Sequence, residues 1–259
     1  MKNNSSVRAK KHLGQHFLTD ESIANKIADS LLNEHGYEEV LEIGPGTGAL
    51  TKFLLQKEFT TYVTEIDNES VEYLKAHFPE LQSRILTENF LQFNPQDHFS
   101  RPIGLCGNFP YNISSQIMFA VYEHRDWYPE VCGMFQKEVA ERIAAQPGSK
   151  TYGILSVLMQ AFFSVEYLFT VDEHVFDPPP KVKSGVIRLL RNTVKTLPCD
   201  EKKFKTIVKV SFGQRRKTIR NSLKPFWKEK QLVTDGEIWT KRPEQLSVSQ
   251  FIHLTQLLS

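Results

Sequence analysis

The chain is poor in the residues that would tie it together covalently or around a metal. Its 259 residues include only three cysteines, Cys106, Cys132 and Cys199. An odd number at such wide spacing excludes a disulfide framework and offers no zinc pattern. The eight histidines show no metal-ligand spacing either, so no metal is expected. No apolar run reaches transmembrane length, and the opening MKNNSSVRAKKH lacks the apolar stretch of a secretory signal. The expectation is therefore a cytoplasmic protein without a membrane partner. No internal repeat and no low-complexity segment is found, which excludes a repeat architecture.

What is present is ordinary in bulk and uneven in detail. Hydrophobic residues make up 40% and charged residues 24%, as in a globular protein with room for one sizeable α/β domain and a small appendage. The formal net charge is only +2. Yet eleven of the 32 Lys/Arg residues, and only three of the 30 Asp/Glu, fall between Asp200 and Lys230, leaving 21 basic and 27 acidic elsewhere. Lys2, Arg8, Lys10 and Lys11 add a second basic segment before any acidic residue appears. Two basic segments on a near-neutral body point to a polyanion or to solvated helix faces, and charge alone does not separate these.

Patterning predicts alternating strands and helices. Residues 20 to 35 carry Ile23, Ile27 and Leu31 at i+4 spacing, with Gly36 as a stop, which predicts an amphipathic helix. EVLEI, TYVTEI, RILTE, IGLCG and VCGMF read as strands, with helical stretches between them, one of which runs from Asn68 to His77. That alternation predicts a parallel, doubly wound sheet. YGILSVLMQAFF reads as a buried helix, and SVEYLFTV and VKSGVIRLL as later strands. The composition turns polar at RNTVKTLPCD, and beyond it KKFKTIVKVSFG, RRKTIRNSLKPFW and VSQFIHLTQLL read as helices. The expected division is a Rossmann-like domain over residues 1–191 and a small helical domain over 200–259.

Between EVLEI and the next helix lies GPGTG, with Gly44, Gly46 and Gly48 at alternate positions. A strand, a glycine loop and a helix in that order let the backbone approach a nucleotide-like ligand. TEID follows on the second strand, so Glu65 lies where a carboxylate accepts from ribose hydroxyls. Dinucleotides and S-adenosylmethionine share this geometry. The spacing G-x-G-x-G departs from the dinucleotide G-x-G-x-x-G, and Glu42 before the loop suits a cationic amino-acid end better than a pyrophosphate. The methyl donor is the favoured cofactor.

A sulfonium donor gives a meaning to GNFPYN at 107–112. The exocyclic amine of adenine is a poor nucleophile, because its lone pair is delocalised into the ring. The Asn108 side-chain oxygen and the Phe109 carbonyl can accept both of its N–H hydrogens and turn that lone pair outward. Pro110 holds the preceding residue extended, and Tyr111 offers a ring for the base. Positioning and electrostatic support suffice, with no early general base. The Phe109 ring and Asn112 are expected to serve packing and the start of the next helix. Cys106 beside the motif reads as a small buried hydrophobe.

GNFPYNIS is similar to the N-[LF]-P-Y-N-I-S motif of the KsgA/Erm family of rRNA adenine N6,N6-dimethyltransferases. HLGQHFL (12–18) resembles its GQ-[NH]-FL motif, and FDPPPKVKS (176–184) its F-x-P-P-P-K-V-x-S motif. LEIGPGTGALT, QKEVAERI and FGQRRKTIRNSL also match, so the resemblance runs from residue 12 to about 224. It implies a class I methyltransferase fold, S-adenosylmethionine as cofactor and dimethylation of two adjacent adenosines in a hairpin near the 3' end of 16S rRNA. The basic helical tail favours the small-subunit branch, with 16S rRNA in the small subunit or its precursor as partner and a monomeric enzyme.

The resemblance also implies that Gly44, Gly46 and Asn108 line the cofactor and that Glu65 holds the ribose. His16 and Leu18 would close over the methionine end. Phe176 would be a second base wall facing Tyr111. Asn89 stands where the family usually has Asp, and is expected to accept from the cofactor's adenine amine through its amide oxygen. Arg215, Arg216, Lys217 and Arg220 would contact rRNA phosphates, with Arg216 and Arg220 on one helical face. A DNA or large-subunit RNA methyltransferase, and a non-catalytic RNA-binding factor on the same fold, are the competing readings.

Overall fold

The structure, a computed structural model, describes residues 7–228 and 233–259. Lys2 and Lys230 of the two basic segments lie outside the described residues. The first elements are strand β1 (Phe17–Leu18) and helix α1 (Glu21–Asp29), whose first turn is capped by the Asp20 carboxylate accepting from the Ser22 and Ile23 N–H groups. Helix α1 ends well before Gly36, contrary to the pattern reading. The cause is Glu130, buried below it, which accepts from the N–H groups of Leu32 and Asn33 at 2.9 Å each and from the Tyr37 hydroxyl. Those donors are taken out of the helical register and tied to the sheet.

The main sheet begins with β2 (Glu39–Ile43), followed by α2 (Thr51–Leu54), β3 (Thr60–Thr64) and α3 (Asn68–His77). Next come β4 (Ile85–Leu86), β5 (Gly104–Asn108), α4 (Ser114–Glu123) and β6 (Glu130–Gln136). Helices α5 (Lys137–Ala144) and α6 (Ile154–Gln160) precede β7 (Phe163–Val171), β8 (Phe176–Asp177) and β9 (Ser184–Arg191). Seven strands form one sheet in the order β4-β3-β2-β5-β6-β9-β7. Those from β4 to β6 are parallel, and β9 runs antiparallel to β6 with Ser184 opposite Gln136. Strand order reverses beside β2, so the carboxyl ends of β2 and β5 flank the crevice where such sheets bind ligands. Separately, β1 pairs with β8, Leu18 opposite Phe176.

The chain divides into two compact units: Met1–Ala140 with Glu166–Arg191, and Glu141–Val165 with Asn192–Ser259. Residues 141–165 therefore belong with the C-terminal unit, which corrects the expected division at 191. The reason is packing. Helix α6, apolar on nearly every side, lies against α7 (Glu201–Gly213) and α10 (Val248–Leu258). Asp200 caps α7, and Ser247 with Gln250 forms a capping box on α10. Between them the single helix read in RRKTIRNSLKPFW is broken into a turn at 214–217, then α8 (Ile219–Ser222) and α9 (Lys224–Lys228). No helix among the described residues is long and apolar enough to cross a membrane.

Replacing Glu130 with Ala leaves the buried Tyr37 hydroxyl and two partly buried N–H groups without their acceptor and lowers stability by about 2 kcal/mol, measured by urea unfolding at neutral pH.

Candidate active site

One cavity lies over the carboxyl ends of four adjacent strands. It is lined by the 13–18 segment, the glycine loop, Glu65 and Ile66, residues 88–91, and residues 108–113. The strand order lays these out in a row: Asn89 after β4, Glu65 after β3, the glycine loop after β2, and Asn108 at the end of β5. A ligand lying along that row meets the polar groups in that sequence.

The glycine loop is shaped by left-handed backbone. Gly44 and Gly46 have φ of 64° and 56°, which side chains rarely adopt. A Cβ on Gly46 would also come within 2.7 Å of the Phe17 ring, so the loop and the N-terminal segment fit together only without one. Glu65 is buried, and both of its oxygens are aimed by backbone: Oε2 accepts from Gly46 N–H at 3.2 Å, and Oε1 from Ile66 and Asp67 N–H at 2.8 and 2.9 Å. Burial raises its carboxyl above the ordinary value, although those N–H groups oppose the shift. Glu42, only 1% exposed, has its carboxyl pushed up to about 8 by burial, against the hydrogen bond that it accepts from Thr51 at 2.6 Å. Asp67 is not at the cavity. It caps α3 and holds Lys10, which also lies 3.1 Å from Glu69.

The GNFPYN turn is anchored by the Phe109 ring, in the packing role expected of it. Phe109 is fully buried, 4.7 Å from the Phe135 ring, and lies over Gly107 and Gly133, which face each other in β5 and β6. A Cβ on Gly133 would come within 2.5 Å of that ring and 2.4 Å of the Gly107 carbonyl. So fixed, Asn108 donates from Nδ2 to the His16 carbonyl at 2.9 Å, and neither its Oδ1 nor the Phe109 carbonyl takes a hydrogen bond among the described residues. Pro110 lies against Gly44. Asn112 does not start the next helix: Ile113 stands at the N-cap of α4, without a side-chain cap. Its Nδ2 donates instead to the His12 carbonyl at 3.2 Å, and its side chain fills the space beside Gly14.

The N-terminal and late motifs meet here. The His16 ring donates from Nδ1 to the Pro178 carbonyl at 2.7 Å and lies 5.4 Å from the Tyr111 ring, tilted 30°. Leu18 lines the cavity. Phe176 does not. It is 4% exposed and packs in the core with Leu18 and Val171, because the β1–β8 pairing puts Leu18 and Phe176 opposite each other and both side chains inward. The late motif reaches the cavity wall through Ser184, whose hydroxyl bonds that of Tyr111.

Asn89 lines the cavity, but its Oδ1 already accepts from Leu91 N–H at 3.0 Å as the cap of a short 3-10 turn. That bond uses one lone pair of the amide oxygen and fixes its direction, leaving the second lone pair and Nδ2. The sequence reading passed over Ile66, half exposed and apolar at the cavity edge beside Glu65. A large apolar residue straight after a strand-end carboxylate was the available signal.

In the second unit, Arg215 is held by the Lys150 carbonyl at 2.6 Å and lies 3.8 Å from Glu244. Arg216 and Lys217 are exposed in the turn, and Arg220 lies in α8 with its guanidinium 5.9 Å from the Trp227 ring centroid. Arg216 and Arg220 therefore do not share a helical face, because the helix is interrupted between them.

The model of the family described as ribosomal RNA adenine dimethylase matches residues 6–257. The protein named ribosomal RNA small subunit methyltransferase A of Flavobacterium johnsoniae is 61% identical, over 96% of this chain and 95% of its own length. Its namesake in Cytophaga hutchinsonii is 56% identical, over 98% of each chain. Among solved structures, a dimethyladenosine transferase from Plasmodium falciparum superposes with a TM-score of 0.73 at 25% identity, over 92% of this chain and 96% of the other. The 23S rRNA methyltransferase ErmE has the same fold, with a TM-score of 0.69 at 24% identity, over 93% and 99%.

Proposed function

The chain belongs to the ribosomal RNA adenine dimethylase family, and on that premise we propose that it dimethylates N6 of two adjacent adenosines in a hairpin near the 3' end of 16S rRNA. It is a methyltransferase that uses S-adenosylmethionine. The small subunit or its precursor is the proposed substrate, in keeping with the name of the relatives, and the enzyme is proposed to act in the cytoplasm as a monomer.

The donor set fits the cofactor. A buried carboxylate with both oxygens aimed by backbone suits a ribose diol at Glu65. A second buried carboxylate, Glu42, suits an ammonium, and the glycine loop between them leaves room for the body of the ligand. When bound, S-adenosylmethionine supplies a methyl group activated on a sulfonium. The order of the strand ends supports a purine on the Asn89 side, an amino-acid end on the Glu42 and His16 side, and the target amine at Asn108.

The single observation that carries the reading is the orientation of the Asn108 amide. With Nδ2 spent on the His16 carbonyl, Oδ1 is the group left to accept from an amine, next to the unengaged Phe109 carbonyl. Two acceptors on one amine take both of its hydrogens, draw the nitrogen out of conjugation and present its lone pair. Tyr111 supports the unstacked base. After the first transfer the methylated nitrogen loses one proton to solvent, and the amine then rotates and offers its remaining hydrogen to the same acceptors. The exposed Arg216, Lys217 and Arg220 contact phosphates and carry no base reading.

Asn108→Ala lowers methyl transfer by about a thousandfold and leaves binding to the RNA hairpin within about threefold, read by filter binding; full activity in that variant refutes the mechanism. Because burial holds Glu42 neutral up to about pH 8 without ligand, an ammonium beside it must drive a proton off. S-adenosylhomocysteine binding measured calorimetrically thus tightens from pH 6 to 7.5, and in Glu42→Gln it is weaker and flat; a flat wild-type profile removes the ammonium from that carboxylate. Changing Arg216, Lys217 and Arg220 together to Ala reduces the slope of log affinity against log salt by about 2. Arg215 is left out of that set, since its loss would disturb the fold instead.

A further inference from the structure

We propose that Ser184 is a positioning residue of the base site: its hydroxyl holds the Tyr111 hydroxyl and so sets the plane in which that ring meets the target base. The inference rests on the reading of Tyr111 as the base support. It begins from a contrast in rigidity. Tyr111 lies in the turn between β5 and α4, outside both, so no ladder fixes its backbone. A ring there is free to swing about its side-chain torsions unless something holds its far end.

Ser184 is that hold. It is fully buried and opens β9, paired opposite Gln136 of β6. Strand β6 in turn pairs with β5, which delivers Asn108. The hydroxyl that meets Tyr111 is thus carried by the same sheet that carries the amine acceptors, and the ring is indexed to them. The bond between the two hydroxyls is the one hydrogen bond of the Tyr111 side chain among the described residues. The His16 ring at 5.4 Å is its aromatic neighbour, itself tethered to the Pro178 carbonyl.

The pair is not an acid–base device. No carboxylate or imidazole hydrogen-bonds either hydroxyl among the described residues, and burial raises the phenol above its ordinary value, so it stays neutral at working pH. What the bond supplies is orientation. That explains a tyrosine where a phenylalanine ring would stack equally well, and a serine buried at the start of a strand.

The test is steady-state methyl transfer to small ribosomal subunits lacking the modification, with S-adenosylhomocysteine binding measured alongside. Ser184→Ala and Tyr111→Phe each remove the same bond, one from either side. Each lowers kcat/KM by about tenfold, the double variant is no worse than either single one, and Ser184→Thr, which keeps the hydroxyl, recovers activity to within about twofold. Cofactor-product binding stays unchanged in all of these. Tyr111→Phe keeps the test open should Ser184→Ala fold poorly, because it leaves the buried serine in place. Losses that add in the double variant, or wild-type activity in Tyr111→Phe, overturn the proposal. Wild-type activity in Tyr111→Ala removes the base-support reading itself and this inference with it, whereas a crippled Tyr111→Ala beside a fully active Tyr111→Phe sinks this inference alone.

Discussion

The absence of two β-carbons governs the site. Gly107 and Gly133 face each other on β5 and β6, and the Phe109 ring occupies the hollow that they leave. Burying that ring, with Phe135 beside it, fixes the chain immediately before Pro110. Asn108 and the Phe109 carbonyl are consequently presented by a packed core, not by a free loop. A polar constellation that must be accurate to a fraction of an ångström is best held in this way. The apolar anchor and the polar acceptors belong to neighbouring residues, so one cannot shift without the other.

Around that anchor, three segments far apart in the chain are joined by backbone carbonyls. The carbonyls of His12 and His16 receive the two asparagine amides of GNFPYN, and the Pro178 carbonyl receives the His16 ring. Carbonyl acceptors cannot reverse their polarity, so they decide which way each amide faces. The outcome is that the acceptor side of Asn108 is left to the ligand. The N-terminal segment therefore does more than cover the cavity: it orients the Asn108 amide, the group proposed to receive the amine.

Much of this was legible in the sequence, and the gaps have physical causes. The parallel core, the glycine loop and the Asn68–His77 helix were readable because periodicity and glycine spacing are local signals. The end of α1 was not, because a carboxylate about a hundred residues away captures its next N–H groups. The burial of Phe176 was not readable for a similar reason. Its direction is decided by a two-residue pairing with β1, and nothing in FDPPP encodes that partner. The turn at Asn89 was not readable either, because only the fold shows that its amide oxygen caps the Leu91 N–H. Arg215 likewise resembled its neighbours until its carbonyl partner was known.

The pairing of β1 with β8 joins residues 17–18 to residues 176–177, nearly the whole span of the first unit. Contacts of such long separation carry a loop-closure cost that local contacts do not. During synthesis, residues 17–18 have no strand partner until β8 has emerged, and the Tyr111 hydroxyl has none until Ser184 has. A product truncated before that point leaves the 17–18 side of the cavity without its strand partner, however well its parallel strands have formed.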